Sequence, residues 1–252
     1  MMAIGPELVL LVFLIFCRIG GCLMLMPGFS SSRVPVNVRL FIAVAVTLAL
    51  APTLLPGLRA ALPTLPDATV VSLLVTESTI GILIGVMGRM FFLALQFMAS
   101  AAAMYIGLGN LPGTPIEDAT EPLPAFATLI TLSATLLFFL TDQHWEVLRA
   151  LIASYSALPV TEGLAMEFSL VKLSEAVSSA FLLALQISSP FIVYTLIINF
   201  MVGIANKLTP QIPVYFISLP FVLAGGLVLL YFTIGESVRL FMMGFMGWLA
   251  RG

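Results

Sequence analysis

The chain has 252 residues, 61% of them hydrophobic and 9% charged, with a net charge of −2 and a mean hydropathy of +1.16. Soluble domains carry about 25% charged and about 45–50% apolar residues, so this chain has more apolar surface than a water-soluble core buries. An ordinary soluble domain is excluded, a nucleic-acid binder lacks its basic stripe, and a β-barrel lacks its polar–apolar alternation.

The expected architecture is all-α, a hydrophobic, membrane-associated bundle of helical hairpins with about six to eight apolar segments. Glu7 to Met26 is the first apolar run, with Arg18 near its centre, and Pro27 ends it. The start, MMAIGPELVLL, has no basic region and no small-residue cleavage pattern, so a cleaved signal peptide is not expected. Cys17 and Cys22 share this run at a spacing that suits buried thiols better than a disulfide or zinc site. GFSSSRVPVNVR follows as a polar link, then Val38 to Leu55 as a second run, ended by Pro52 and Pro56. Val70 to Ile106 is apolar for nearly forty residues, too long for one span of about 20, and Arg89, preceded by Gly85 and Gly88, marks a break or bend. Gly81 and Gly85 form a GxxxG, read as a packing face.

Gly107 to Pro124, GLGNLPGTPIEDATEPLP, interrupts the apolar pattern. Pro lacks a donor N–H and Gly costs backbone entropy, so the stretch makes a poor helix. Glu117, Asp118 and Glu121 have no nearby cation in the sequence. Irregular backbone is not tolerated against lipid, so this loop either sits in water outside the membrane or hangs inside a protein-lined passage. Ala125 to Leu140 resumes as a helix of about 16 residues, and Thr141–Trp145 forms a polar tip in which Asp142 is a candidate N-cap. Glu162 to Glu175 is mixed and polar. Ala176 to Ala205 and Val214 to Phe232 read as a helical hairpin joined by NKLTPQIP, and Val238 to Ala250 as a last segment too short to span comfortably. Lys and Arg are too few, and too often inside apolar runs, for the positive-inside rule to set a topology.

Arg18, Glu77, Arg89, Glu236 and Arg239 lie within or beside apolar segments. A charge at mid-bilayer costs at least about 2.5–3.5 kcal/mol, so each must face a partner or water. Two readings follow: an ion or proton relay, or interhelical and intersubunit ion pairing, with Glu236 and Arg239 placed to pair on one helix face. His144 is the only histidine. No nucleophile elbow, zinc-protease motif or phosphate loop is present, so no catalytic residue, no metal site and no cofactor is expected.

Four stretches, in order, are similar to one known family. They are Arg18 with Pro27-Gly-Phe-Ser30, Pro35, Arg39 and Pro52; Glu77 with Gly81, Gly85 and Gln96; Asp142-Gln-His144 with Ser154 and Leu158-Pro159; and Ala184-Leu-Gln186, Pro190, Gly203 and Lys207-x-x-Pro210-Gln211-Ile212. They resemble the FliR family, the R-type subunit of the flagellar and virulence type III protein-export gate. Lys207 stands where that family often has Arg, and Ala101 to Ala119 lacks its glycine- and Gln-rich run.

The resemblance implies a non-enzymatic subunit of the bacterial inner membrane and flagellar basal body. Residues 1–160 would be P-subunit-like and 170–252 a Q-subunit-like hairpin with a C-terminal helix. It implies P-type, Q-type, B-type and A-type export-apparatus partners, unfolded protein substrates, and no nucleic acid. The family's pore is closed by a loop that falls here at about residues 106–124, with Ile106, Gly107, Leu108, Gly109, Asn110, Leu111, Pro112 and Gly113 as the plug. Arg18, Glu77, Arg89, Lys207, Glu236 and Arg239 would supply intersubunit or interhelical charges. The alternative is a small-molecule or ion transporter acting as a homo-oligomer, which calls for an internal repeat around a midplane site. A pore-free architectural protein would require the central loop to be fully solvated.

Overall fold

A computed structural model describes residues 5–31, 34–62, 67–109, 124–161 and 166–250. Among them are seven helices: α1 (Pro6–Leu25), α2 (Val36–Ala61), α3 (Asp67–Tyr105), α4 (Ala125–Leu140), α5 (Gln143–Ala157), α6 (Met166–Leu208) and α7 (Val214–Leu249). Five of them, α1, α2, α3, α6 and α7, are long and apolar enough to cross a membrane. α4 and α5 meet at 71° and together make a candidate broken sixth span. The helices form two compact units: residues 1–91, 138–178 and 246–252, and residues 92–137 and 179–245.

In the first unit α1 begins with Pro6 at its first turn, where the missing N–H is no loss. It ends at Met26, whose extended backbone (ψ 129°) is what a residue before proline prefers. Gly28 then takes φ 85°, a left-handed turn position with the Phe139 ring against it. Arg39 ties down the link, donating from Nε to the Val34 carbonyl and from Nη2 to the Ser31 carbonyl, both at 2.9 Å. Leu11, Leu14, Ile15, Ile19 and Leu23 of α1 pack on Ala43, Ala51, Leu54 and Leu58 of α2. That packing explains a departure from expectation: α2 does not end at Pro52 and Pro56 but runs through both to Ala61. Each proline removes one N–H, but the buried face of Ala51, Leu54 and Leu58 spans them and holds the helix together.

α3 is likewise one helix of 39 residues, with no break at Arg89. Its glycines serve contact, not bending. A Cβ on Gly81 would overlap the Arg18 carbonyl oxygen, and one on Gly85 would stand 2.7 Å from the Cys22 carbonyl oxygen. A Cβ on Gly88 would stand 2.6 Å from the Met26 sulfur. The backbones of α1 and α3 therefore touch, as small residues permit. Asp142 occupies the N-cap position of α5, but in a left-handed conformation (φ 57°) and without a side-chain cap. Its main-chain carbonyl accepts from the Trp145 N–H instead, at 3.0 Å.

In the second unit Phe92 sets its edge against Phe241 and Phe245, with ring centroids 5.1 and 5.7 Å away. Leu183 of α6 lies where a Cβ on Gly244 of α7 would be. These contacts carry α7 onward as a single 36-residue helix, so Val238–Ala250 is its end and not a separate short segment. The interruption Gly235-Glu236-Ser237 is less than one helical turn, too little to stop a helix packed on both sides of it. α6 begins in the first unit, where Lys172 and Glu175 are 4.0 Å apart, one turn from each other, and continues into the second. Pro190 sits inside it, and the Ser189 hydroxyl donates to the Gln186 carbonyl, the one a proline at 190 leaves without its N–H.

Candidate functional site

Arg18 lies on the buried face of α1 and is itself fully buried, as is Glu77 on α3. The guanidinium meets the carboxylate through two hydrogen bonds, Nε to Oε2 at 2.6 Å and Nη2 to Oε1 at 2.7 Å. The touching backbones at Gly81 bring the two side chains within this reach. The remaining donors turn to the end of α5: Nη1 to Ser154 Oγ at 3.2 Å and Nη2 to the Leu158 carbonyl at 3.0 Å. The Ser154 hydroxyl in turn donates a hydrogen bond to the Leu151 carbonyl at 2.7 Å. A helix C-terminus carries partial negative charge and suits a cation. The face of Tyr155 completes the setting, 4.0 Å from Arg18 Cζ to the ring centroid, in cation–π geometry. One guanidinium thus cross-links α1, α3 and the end of α5. With both carboxylate oxygens engaged, the geometry is that of a neutral, multiply bonded ion pair, whose rupture leaves a buried charge uncompensated.

The other charges singled out in the sequence lie elsewhere. Arg89 is half-buried on α3, about 18 Å along the helix axis from Glu77. Lys207 is exposed in the last turn of α6, where a cation complements the helix end. Glu236 and Arg239 form an exposed i,i+3 contact on α7, Oε2 to Nη1 at 3.9 Å. In the polar tip Gln143 is buried, and its Oε1, like His144 Nδ1 beside it, is enclosed without a hydrogen-bond partner.

Of the plug residues, Ile106, Gly107, Leu108 and Gly109 are described, and Asn110, Leu111, Pro112 and Gly113 lie outside the described residues. The described ones close α3. The Leu108 N–H donates to the Ala103 carbonyl at 2.8 Å and the Gly107 N–H to the Met104 carbonyl at 3.2 Å. Gly107 has φ 84°. This is a Schellman cap, with glycine at the left-handed position and an apolar residue after it. Ile106 is fully buried with Ala102 and Phe191, and Leu108 packs against the same cluster. The loop is therefore anchored in the second unit up to Leu108.

Sequence reasoning found Arg18 and Glu77 from their cost in apolar surroundings, but not Tyr155, Tyr194 or Gly225-Gly226. A glycine pair inside an apolar run was the available signal for the last of these, since helix glycines permit close approach.

An all-helical chain with five membrane-length apolar helices is, by class, a multi-pass helical membrane protein. The family described as "Bacterial export proteins, family 1" matches residues 9–247. The chain is 27% identical over 218 residues to the flagellar biosynthetic protein FliR of Caulobacter vibrioides, covering 86% of this chain and 85% of that one. It is 27% identical over 210 residues to FliR of Escherichia coli, covering 81% and 76%, and 26% identical over 235 residues to FliR of Aquifex aeolicus, covering 91% and 87%. The chain belongs to this family of bacterial export proteins, the FliR family.

Proposed function

We propose that this chain is a structural and gating subunit of the flagellar type III protein-export channel, helping to form and plug the pore through which unfolded flagellar proteins cross the inner membrane. The observation that carries the reading is the family match along nearly the whole chain, residues 9–247. The surface is consistent with it. Phe200, Phe216, Phe221, Tyr231 and Phe232 of α6 and α7 are 70 to 78% exposed, more aromatic surface than a lone water-facing hairpin tolerates. In the proposal that surface meets P-type and Q-type subunits and lipid, with B-type and A-type subunits completing the basal-body apparatus. Residues 1–160 take the P-like role and 170–252 the Q-like role. The chain does no catalysis and holds no cofactor.

The plug works by replaceable contacts. A passage for unfolded chains must seal against ions yet hold no single sequence tightly. Leu111 and Ile116 supply apolar contacts on a Gly- and Pro-rich loop, and the cap at Gly107 fixes where that loop begins. Deleting Asn110 to Gly113 is expected to leave the complex assembled while the membrane leaks small solutes. Unchanged permeability in an assembled deletion variant overturns the plug. The mass of the complex after gentle detergent extraction tests the wider reading. Many small hydrophobic subunits around one copy of this chain support the gate, and a stable monomer or homodimer supports the transporter.

A further inference from the structure

Within the second unit, α7 carries a proline and, close to the end of α3, a side-chain hydrogen bond to one of its main-chain carbonyls. Pro220 has no N–H, so the carbonyl four residues before it, on Phe216, loses its main-chain partner. Two residues further on, the Val222 carbonyl accepts from the Tyr194 hydroxyl at 2.7 Å. In a regular helix that same carbonyl serves the Gly226 N–H, so the phenol bonds to the acceptor of one rung of α7. Proline and side-chain competition for a ladder carbonyl both favour helix bending, and Pro220 and Val222 lie within one turn of each other. Gly225 and Gly226 make room: a Cβ on Gly225 would stand 2.6 Å from the Tyr194 oxygen, and a Cβ on Gly226 would fall on the Ile106 side chain.

Ile106 is the first residue beyond α3 and is fully buried in this contact. Thr195, the neighbour of Tyr194, directs its hydroxyl at the Tyr105 carbonyl, 3.4 Å away. One turn of α6 thus touches both this stretch of α7 and the end of α3. We propose that Tyr194 with Gly225-Gly226 is a latch: it holds the capped end of α3 against α7, so that bending of α7 near Val222–Gly226 and release of Ile106–Leu108 occur as one event. Tyr194 is a positioning residue here, acting on the loop only through Ile106. The consequence for transport rests on the plug reading above, whereas the mechanical coupling does not.

The test is hydrogen–deuterium exchange on the complex extracted from its native membrane through a tag on this chain. In Tyr194→Phe, which keeps the ring and loses the hydroxyl, amides 223–230 and 106–108 are expected to exchange together, about fivefold faster than in the parent. Faster exchange in 223–230 alone, or no change in either, overturns the latch. Gly225→Ala reaches the same contact from the other side, by displacing the hydroxyl. If both variants act through that oxygen, the double variant exchanges no faster than either single one, and additive rates overturn the proposal. Solute leakage is read in parallel with the Asn110–Gly113 deletion. Coupled exchange without leakage in that deletion keeps the latch and removes the plug.

Discussion

The two units hold their helices together by different means. The first is fastened at Arg18, where a buried guanidinium bonds Glu77, Ser154 and the Leu158 carbonyl. Ring and glycine contacts serve both units, and in the second they are joined by the hydroxyls of Tyr194 and Thr195, with Phe92 on Phe241 and Tyr194 on Val222. A buried ion pair admits one geometry, because every displaced donor is a charge without a partner. Apolar contacts slide at lower cost, since dispersion is weakly directional. The Arg18 pair is therefore the contact that resists displacement most.

The largest effect that would break this contrast is in the first unit. Arg18→Ala is expected to lose about 3–5 kcal/mol by stranding Glu77 in an apolar interior. It is read as a fall in the unfolding temperature of the extracted complex and in the amount of chain retained in the membrane. Pairing Arg18→Met with Glu77→Leu should recover most of it, and a double variant as unstable as the single one would show that the charges do more than balance each other. A smaller loss belongs to the second unit. Gly107→Ala has room, the nearest atom to its Cβ being Leu223 Cδ1 at 4.0 Å, but it must hold φ 84°. The expected cost is about 1–2 kcal/mol, seen as faster exchange confined to the end of α3. Smallest of all is Tyr155→Phe. The lost hydroxyl is buried and has no partner, and the ring stays over Arg18. A stability change within about 0.5 kcal/mol is expected, and a large loss would reveal an acceptor for that proton.

The sequence made the helical runs, the α6–α7 hairpin and the two costly charges legible, because apolar length and charge in an apolar run are local signals. Proline and glycine were misleading for the same reason. Pro52 and Pro56 mark helix ends only where packing does not hold the helix, and the α1 contact does hold it. Gly85 and Gly88 before Arg89 looked like a break in α3, while the Gly81–Gly85 pair read as a packing face; the packing reading holds, and all three glycines form the seam with α1. Asp142 was expected to cap α5 with its side chain, but its left-handed backbone, set by the sharp α4–α5 bend, removes that option. Nothing local announced that Arg18 reaches Glu77, which lies 59 residues away.

That distance has a consequence for how the chain is made. α1 and α2 emerge before α3 and α5, and the counter-charge of Arg18 is 59 residues downstream, its contacts at Ser154 and Leu158 136 and 140 downstream. Until α3 arrives, α1 carries an unmatched cation in an apolar helix, at a cost of about 2.5–3.5 kcal/mol on insertion scales. α1 therefore settles only after elements that follow it in the chain. Its final seat exists only once the chain is complete through Leu158, so truncation before that point is expected to lower the retention of α1 in the membrane.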